Sequence, residues 1–401
     1  MNTIFNKISN FKKKIFKSPK NIFLFGLFFG FAVTLKEVNS SSYNNFLIIL
    51  YSTFDFWNGV DPYADWFHLD LKGRPLGVFI YLPLFNVLFT PFTIFPAWLG
   101  TFLWNFFTYT LFYQSIFNLP EKYTFRKKKF IFLITCLLLF ATMLSMQFNP
   151  IVAAIFLFSY TALENKNYFL AMLLISISGL TKVYGIIQFS MFLFYPKFWK
   201  NTFFSVFTFL ALFAIPLIKY SPNQLFNLLI SWKEAIAFHS TKQGGFYSIY
   251  RPFFEISDLI GKYNTIISAI IFLILIGMLL FKLTMFKTSF SKRAQYLGIL
   301  MSWAILFSLG AELHTYVIAM TGYAIWYVNT ITTKIDKVLL WLNFVLLAIF
   351  PIDILCPVFI SKVILGDLNL GIITFATTWF IMVYKTFFTK SFDVELNKIA
   401  N

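Results

Sequence analysis

Three aspartates stand close together in one polar stretch of an otherwise apolar chain. Asp55, Asp61 and Asp65 lie within eleven positions, among aromatic residues that include Trp57 and Tyr63. A carboxylate held at the edge of a membrane can act as a general base, because desolvation raises its pKa. The same three side chains can also be ordinary solvated loop residues. Both interpretations of this stretch stay open.

A single lysine lies between two long apolar runs. Lys182 belongs to the segment SGLTKVYG, which holds almost no other polar side chain. One interpretation is a lysine at a helix end whose ammonium reaches toward water. The other is a cation that receives an anionic headgroup, such as a lipid phosphate.

Further polar residues interrupt the apolar runs in three places. Glu312 and His314 are two positions apart, Gln147 and Asn149 precede a run, and Arg251 follows the glycine-rich segment KQGGFYS. Ionisable groups inside apolar segments are costly and usually functional. The two amides can instead be simple helix-end caps. The basic segment around Arg251 either closes over a phosphate or forms a solvated lid.

The composition decides what kind of fold positions these residues. The chain has 401 residues, of which 59% are hydrophobic and only 12% are charged, whereas soluble domains carry about 25% charged residues. Apolar runs of about 15–20 residues recur along it, and each can cross or nearly cross a hydrocarbon core of about 30 Å. These runs lack the alternating pattern of a membrane barrel. The sequence therefore predicts an all-α, polytopic transmembrane helical bundle with about 12 membrane segments.

The apolar runs also divide the chain. Residues 1–20 form a basic N-terminus, residues 21–331 a transmembrane catalytic module, and residues 332–401 further transmembrane helices with a short tail. Within the module, two polar stretches at 37–76 and 220–263 are expected to be outer loops. The runs fall near 21–36, 77–93, 97–118, 130–146, 150–163, 167–181, 183–196, 202–219, 264–281, 295–310, 315–331, 338–352 and 368–384.

The formal charge of +17 follows the positive-inside rule rather than indicating nucleic acid, because Lys and Arg gather in short loops between apolar runs. The basic N-terminus is then cytoplasmic and leads into a retained first helix. If the runs 77–93 and 97–118 make only one net crossing together, the later basic clusters are cytoplasmic too. The polar candidates named above then all reach the outer face. Residues 44–58 of the first loop are amphipathic and are expected to form an interfacial helix.

The sequence lacks the motifs of several common kinds of enzyme chemistry. No HExxH, GxSxG or Walker motif occurs, and the two cysteines show neither a disulfide framework nor metal-ligand spacing. We therefore expect neither a cofactor nor a metal. An activated substrate has to arrive by another route, and a lipid-linked donor in the bilayer meets that need.

The order of several motifs resembles that of a known family. A basic N-terminus and first helix are followed by GVDPY at 59–63, YLPLFNVLFTPFTIFPAWLGTFLWN at 81–105, QFNPIVAAIFLFSYTALENKNYFLAMLLISISGLTKVYG at 147–185 and AELHTYVIAMTGYAIWY at 311–327. This order resembles the polyprenyl-phosphate-sugar-dependent glycosyltransferases of the GT-C fold class. It is most similar to glycosyltransferase family 87, which includes bacterial polyprenyl-phosphomannose-dependent mannosyltransferases.

The resemblance implies an inverting reaction and assigns roles to particular positions. A base in the first outer loop would activate the acceptor, Lys182 would face the donor phosphate and His314 would line the site. The family usually places its catalytic aspartate just after the first helix, where this sequence has Asn45. Either the base has moved to another aspartate, or the register differs, or catalysis is impaired. Among the aspartates Asp61 is favoured, since the rigid turn at Pro62 would fix it.

The resulting prediction is a multi-pass glycosyltransferase of the bacterial inner membrane. It would move a mannose-like hexose or a pentose from a polyprenyl-phosphate donor to an envelope glycan or glycolipid on the outer face. Asp61, Asp55 and Asp65 are its catalytic candidates, and no nucleic acid is expected as a partner. The candidates for binding donor or substrate are Lys182, His314, Glu312, Arg251, Gln147, Asn149 and Asn45. The alternative is a transporter or flippase of a lipid-linked saccharide.

Overall fold

A computed structural model gives the fold. It describes residues 17–64, 68–243, 248–251, 258–351, 356–357, 359 and 362–389, and at 240–243, 258–262 and 366 it describes the backbone only.

The described part of the chain is built from helices. The α-helices, numbered in chain order, are α1 Pro19–Asn39, α2 Asn44–Asn58, α3 Leu84–Thr93, α4 Ala97–Phe117, α5 Phe125–Leu144, α6 Asn149–Glu164, α7 Tyr168–Thr181, α8 Phe198–Phe213, α9 Pro222–Gln243, α10 Asp258–Phe281, α11 Leu283–Thr288, α12 Phe290–Leu306, α13 Tyr316–Tyr327, α14 Lys334–Phe344 and α15 Leu370–Phe388. Shorter or tighter helical pieces are the 3₁₀ helices Val183–Phe194, Ile215–Ile218 and Leu313–Thr315, and the π-helical turns Val345–Ile349 and Lys362–Asp367.

The predicted all-α fold is confirmed for the described residues. Their only β pairing is an isolated bridge between Leu69 and Pro75. Several helices are long and apolar enough to cross a membrane, so the chain is a multi-pass membrane protein. Among the described residues four helices meet this test, or five if one bent pair counts as a single span. The prediction of about 12 segments is therefore not confirmed, because other apolar runs form helices of only 10–17 residues.

The bent pair consists of α3 and α4, which are inclined by 117° at a short break. Pro96 precedes the first residue of α4, and a proline at that point begins a helix without losing a backbone hydrogen bond. The apolar run 77–93 is helical only in its second part, since residues 76–83 form no regular secondary structure. Pro75 and Pro83 bound this stretch, and each proline lacks a backbone donor. The bend agrees with the expected single net crossing of 77–118.

The first loop contains the predicted amphipathic helix. Helix α2 covers Asn44–Asn58, buries Phe46, Leu50 and Phe56 against the bundle, and ends at Gly59. Gly59 has φ +78°, a left-handed conformation that glycine adopts without steric cost and that commonly ends helices. The position of α2 at a membrane surface stays a prediction.

The second expected loop, 220–263, is largely helical, so this part of the prediction is wrong. Helix α9 covers Pro222–Gln243. Ser221 caps it: its hydroxyl accepts from the backbone N–H of Gln224 at 3.3 Å, and the Gln224 side chain accepts from the N–H of Ser221 at 2.8 Å. This reciprocal pair is a capping box, and the proline at 222 suits the first helical turn. Residues 244–247 and 252–257 lie outside the described residues.

Two helices in the bundle centre approach very closely. Gly298 of α12 faces Gly322 of α13, and a Cβ added to Gly322 would lie 2.7 Å from the Gly298 carbonyl oxygen. Helix α13 also packs against α5 and α6. The turn between α12 and α13, which carries Glu312, therefore lies beside the connection from α5 to α6, which carries Gln147.

Candidate functional site

A cavity of about 510 Å³ opens where several of the predicted polar residues meet. Its walls come from α2, the irregular stretch before α3, the α5–α6 and α12–α13 connections and the end of α9. The lining residues are Asn45, Ile48, Ile49, Pro75, Leu76, Gly77, Val78, Phe79, Ile80, Tyr81, Gln147, Lys182, Phe238, His239, Gly310, Glu312 and Thr315.

A chain of hydrogen bonds links a cation to a carboxylate along this cavity. The Lys182 ammonium donates to Asn149 Oδ1 at 2.7 Å, and Asn149 Nδ2 donates to Gln147 Oε1. Gln147 Nε2 then donates to Glu312 Oε2 at 2.7 Å. Four residues that the sequence placed in three separate motifs are thus joined in one network.

The direction of this network is fixed by its ends. An ammonium can only donate and a carboxylate can only accept. Each amide between them must therefore accept on its oxygen from the Lys182 side and donate from its nitrogen toward Glu312. Asn149 has no exposed surface, so its bonds replace those that it would make to water.

Lys182 lies in the connection between α7 and the 3₁₀ helix Val183–Phe194, outside the helices long enough to span. Its ammonium is 5.5 Å from the centre of the Tyr81 ring and 5.9 Å from that of Tyr184. Burial lowers the pKa of Lys182 to about 8, and the Glu312 carboxylate opposes that shift. The lysine is still mostly protonated at neutral pH, and an additional anion would stabilise its charge.

Helix α9 adds a residue that the sequence analysis did not choose as a site residue. His239 lines the cavity, and its Nε2 lies 3.7 Å from Glu312 Oε1. Burial lowers the pKa of His239, while Glu312 acts in the opposite direction and Lys182 in the same one. The helix is held to the cavity wall by Trp232, whose Nε1 donates to the Ile80 carbonyl at 3.1 Å.

The spacing of apolar residues in α9 could have indicated that His239 lies on the buried face of this helix. The buried positions Leu225, Leu228 and Ala235 of α9 repeat at helical spacing. His239 follows Ala235 by four residues and so continues the same face.

Asn45 and His314 both contact Ser145. Asn45 contacts its backbone and His314 its side chain. Asn45 Nδ2 donates to the Ser145 carbonyl at 2.6 Å, and His314 Nε2 is 2.8 Å from Ser145 Oγ. Asn45 lines the cavity, whereas His314 is not among the described lining residues. Burial lowers the pKa of His314, and Glu312 opposes this. His314 contacts the end of α5 and the α5–α6 connection, since its carbonyl accepts from the Thr142 hydroxyl at 3.2 Å and its ring hydrogen-bonds to Ser145 Oγ.

The structure does not bring the described aspartate candidates to the cavity. Asp55 Oδ2 pairs with His68 Nε2 at 2.7 Å, and Asp61 Oδ1 accepts from the Tyr63 backbone N–H at 2.9 Å. Both pairs belong to the first loop, and neither aspartate is among the described residues that line the cavity. Asp65 lies outside the described residues.

Arg251 lies in the short described segment 248–251. Its backbone N–H donates to Ser248 at 3.0 Å, and Ile249 donates to the carbonyl of Leu306 at the end of α12. Arg251 is likewise not among the described residues of the cavity wall.

The described part of the chain is a helical membrane fold with a cavity beside the first loop. A family model described as Glycosyltransferase family 87 matches residues 79–309, more than half of the chain, and the chain belongs to this family. The expected resemblance is therefore confirmed, and the protein is a membrane glycosyltransferase. No curated protein matches the chain.

Proposed function

We propose that this glycosyltransferase uses a polyprenyl-phosphate sugar as its donor and binds the donor phosphate at Lys182. The observation that carries this proposal is a partly buried ammonium lining a polar cavity, held by Asn149 Oδ1 at 2.7 Å. A cation removed from water gains much from an anion at hydrogen-bonding distance. A donor that already resides in the bilayer needs no soluble nucleotide-binding domain.

The surroundings of Lys182 suit a phosphodiester. The lysine keeps its charge at neutral pH, although burial lowers its pKa to about 8. Asn149 orients the ammonium, so fewer side-chain rotamers have to be frozen when the donor binds. A preorganised cation of this kind stabilises negative charge that develops on a leaving oxygen.

The aromatic residues of the wall suit a sugar. Phe79 and Tyr81 are among the residues that line the cavity, and apolar ring faces pack well against the C–H surfaces of pyranoses. Tyr81 is fixed at two points: its ring stacks on Phe85 at 4.2 Å and its carbonyl accepts from the Tyr63 hydroxyl at 2.7 Å.

The reaction that follows is a single inverting displacement. An acceptor hydroxyl oxygen attacks the anomeric carbon while the bond from that carbon to the phosphate oxygen breaks. The phosphate leaves with the electron pair beside Lys182, and the acceptor gives up its proton to a base. The proposed acceptor is an envelope glycan or glycolipid, and the sugar is a mannose-like hexose or a pentose. We place the enzyme in a bacterial inner membrane with its N-terminus in the cytoplasm and the cavity outside.

The test uses the full chain reconstituted in lipid vesicles with radiolabelled polyprenyl-phosphate sugars and an envelope extract as acceptor. Wild type should transfer label, and Lys182→Ala should lose donor binding and transfer. Lys200→Ala is the matched control, because Lys200 is exposed on α8. Unchanged donor binding by Lys182→Ala would contradict the phosphate role. Movement of donor lipid between leaflets without transfer would support the transporter instead.

A further inference from the structure

The cavity wall contains one carboxylate among the residues that the structure describes. That carboxylate belongs to Glu312. Two amide side chains connect it to the Lys182 ammonium by hydrogen bonds. An inverting transfer needs a proton acceptor within reach of the acceptor hydroxyl. The identity of that proton acceptor is inferred on the basis of the proposed function.

The other polar side chains of the wall are poorly suited to the task. Asn45 lines the cavity, but an amide has no basic site near neutral pH. The carboxylates of Asp55 and Asp61 pair with groups in the first loop, at 2.7 Å and 2.9 Å. The remaining proton acceptors among the described wall residues are Glu312 and His239.

We propose that Glu312 is the general base of the sugar transfer. Glu312 and Thr315 form a capping box that fixes the start of the 3₁₀ turn Leu313–Thr315: the Glu312 side chain accepts from the Thr315 backbone N–H, and the Thr315 hydroxyl accepts from the Glu312 N–H at 3.2 Å. One carboxylate oxygen, Oε2, accepts from Gln147 at 2.7 Å. The other oxygen, Oε1, lies 3.7 Å from His239 Nε2, beyond hydrogen-bonding distance. Gln147 and Thr315 thus hold the carboxylate in place, and since a carboxylate has about four lone-pair sites, sites remain for an incoming hydroxyl.

The proton balance is complete with the residues of this wall. The acceptor oxygen forms its bond to the anomeric carbon, and its proton passes to Glu312 Oε1. The electron pair of the broken carbon–oxygen bond stays on the lipid phosphate, next to the Lys182 ammonium. Glu312 then releases the proton to water.

The chain of hydrogen bonds from Lys182 to Glu312 gives Gln147 and Asn149 a positioning role. They hold the carboxylate and the ammonium along one wall, so that the base and the leaving-group cation have a fixed separation. Proximity of this kind accounts for a large part of the rate enhancement in displacement reactions.

The test measures donor binding and turnover separately in vesicles that carry the full chain and a polyprenyl-phosphate sugar accepted by wild type. Glu312→Gln should keep the donor Kd and lower kcat by about 10²–10⁴-fold, the range for loss of a general base. Glu121→Gln, an exposed glutamate in the α4–α5 connection, is the matched control and should leave both unchanged. Formate should restore part of kcat to Glu312→Ala, because a small carboxylate can enter the space left by the side chain.

Three results would overturn the proposal while leaving the family's reaction intact. These are a Glu312→Gln variant with wild-type kcat, a parallel loss of donor binding and kcat that formate does not rescue, and a kcat loss confined to Asp55→Asn or Asp61→Asn. If wild type transfers sugar from none of the lipid-phosphate donors, the proposed function fails and the role of Glu312 fails with it.

Discussion

Gly185 packs directly against Ser178 across the turn that presents Lys182. A Cβ added to Gly185 would lie 2.6 Å from the Ser178 carbonyl carbon, closer than real side chains approach. The same turn is closed by backbone bonds from Lys182 N to Ser178 and from Gly185 N to Lys182, each 2.8 Å long. The position of the cavity's lysine therefore depends on a glycine three residues away.

This relationship predicts that Gly185→Ala weakens donor binding without removing any polar group. The methyl group must push the turn apart, and a small displacement of the ammonium should raise the donor Kd by about tenfold, equivalent to about 1.4 kcal/mol. Equilibrium binding of a labelled donor lipid measures this. Gly277→Ala is the matched control, since a Cβ there meets nothing within 4 Å. Equal Kd values for the two variants would contradict the prediction.

Donor binding should weaken as the pH rises through about 8. Burial lowers the pKa of free Lys182 to about 8, and a bound phosphodiester anion stabilises the ammonium and raises that pKa. Below the free pKa the lysine is already protonated, so Kd is flat; above it, binding must take up a proton and Kd rises. A Kd series from about pH 6.5 to about pH 9.5 tests the sign. In Lys182→Arg the rise should disappear, because guanidinium stays charged.

A carboxylate introduced at position 45 should partly replace Glu312. Asn45 lines the same cavity, and its Nδ2 donates to the Ser145 carbonyl at 2.6 Å. An aspartate cannot make this bond, so its carboxylate is less firmly placed and the replacement should be only partial. The double variant Asn45→Asp/Glu312→Gln should turn over at least about tenfold faster than Glu312→Gln alone, since a placed base contributes about 10²–10⁴-fold. Initial rates at saturating donor measure this. Ile48→Asp in the same background controls for any new charge in the wall.

Stability should depend on a bidentate ion pair remote from the cavity. Arg293 Nε and Nη2 donate to the two carboxylate oxygens of Glu164 at 2.6 and 2.9 Å, and Tyr195 donates to the same carboxylate at 2.7 Å. Arg293→Met leaves the carboxylate unpaired and should cost about 3–5 kcal/mol. Thermal unfolding in detergent should show that Glu164→Met/Arg293→Met recovers much of this loss. Additive costs in the double variant would argue against direct coupling.

Much of the architecture follows from local sequence patterns. The apolar runs predict most of the helices, and the alternation in 44–58 predicts α2, because each depends on neighbours along the chain. Helix α9 lies in a stretch for which the polar composition predicts a loop. Ser221 and Gln224 nevertheless carry a recognisable capping box. The prolines of the run 77–93 indicate a break in it, but the exact extent of the irregular stretch 76–83 depends on contacts with distant parts of the chain.

The site itself is only partly readable from the sequence. Lys182, Gln147, Asn149 and Glu312 were each singled out as polar residues in apolar surroundings, and they do meet. Their connection was not predictable, since the bond from Gln147 to Glu312 joins residues 165 positions apart. The choice among carboxylates also depends on such long-range placement. An aspartate-rich loop can be recognised as a candidate site from the local sequence. A single glutamate can be recognised as a candidate base only when the cavity wall to which it belongs is known.

The 117° bend between α3 and α4 bears on how the enzyme would meet its donor. The irregular wall of the cavity leads directly into α3, the first helix of this bent pair. A donor lipid would arrive there by two-dimensional diffusion within one leaflet. Its relevant concentration would then be a mole fraction in the bilayer, and adding inert lipid at constant bulk donor would slow turnover by surface dilution.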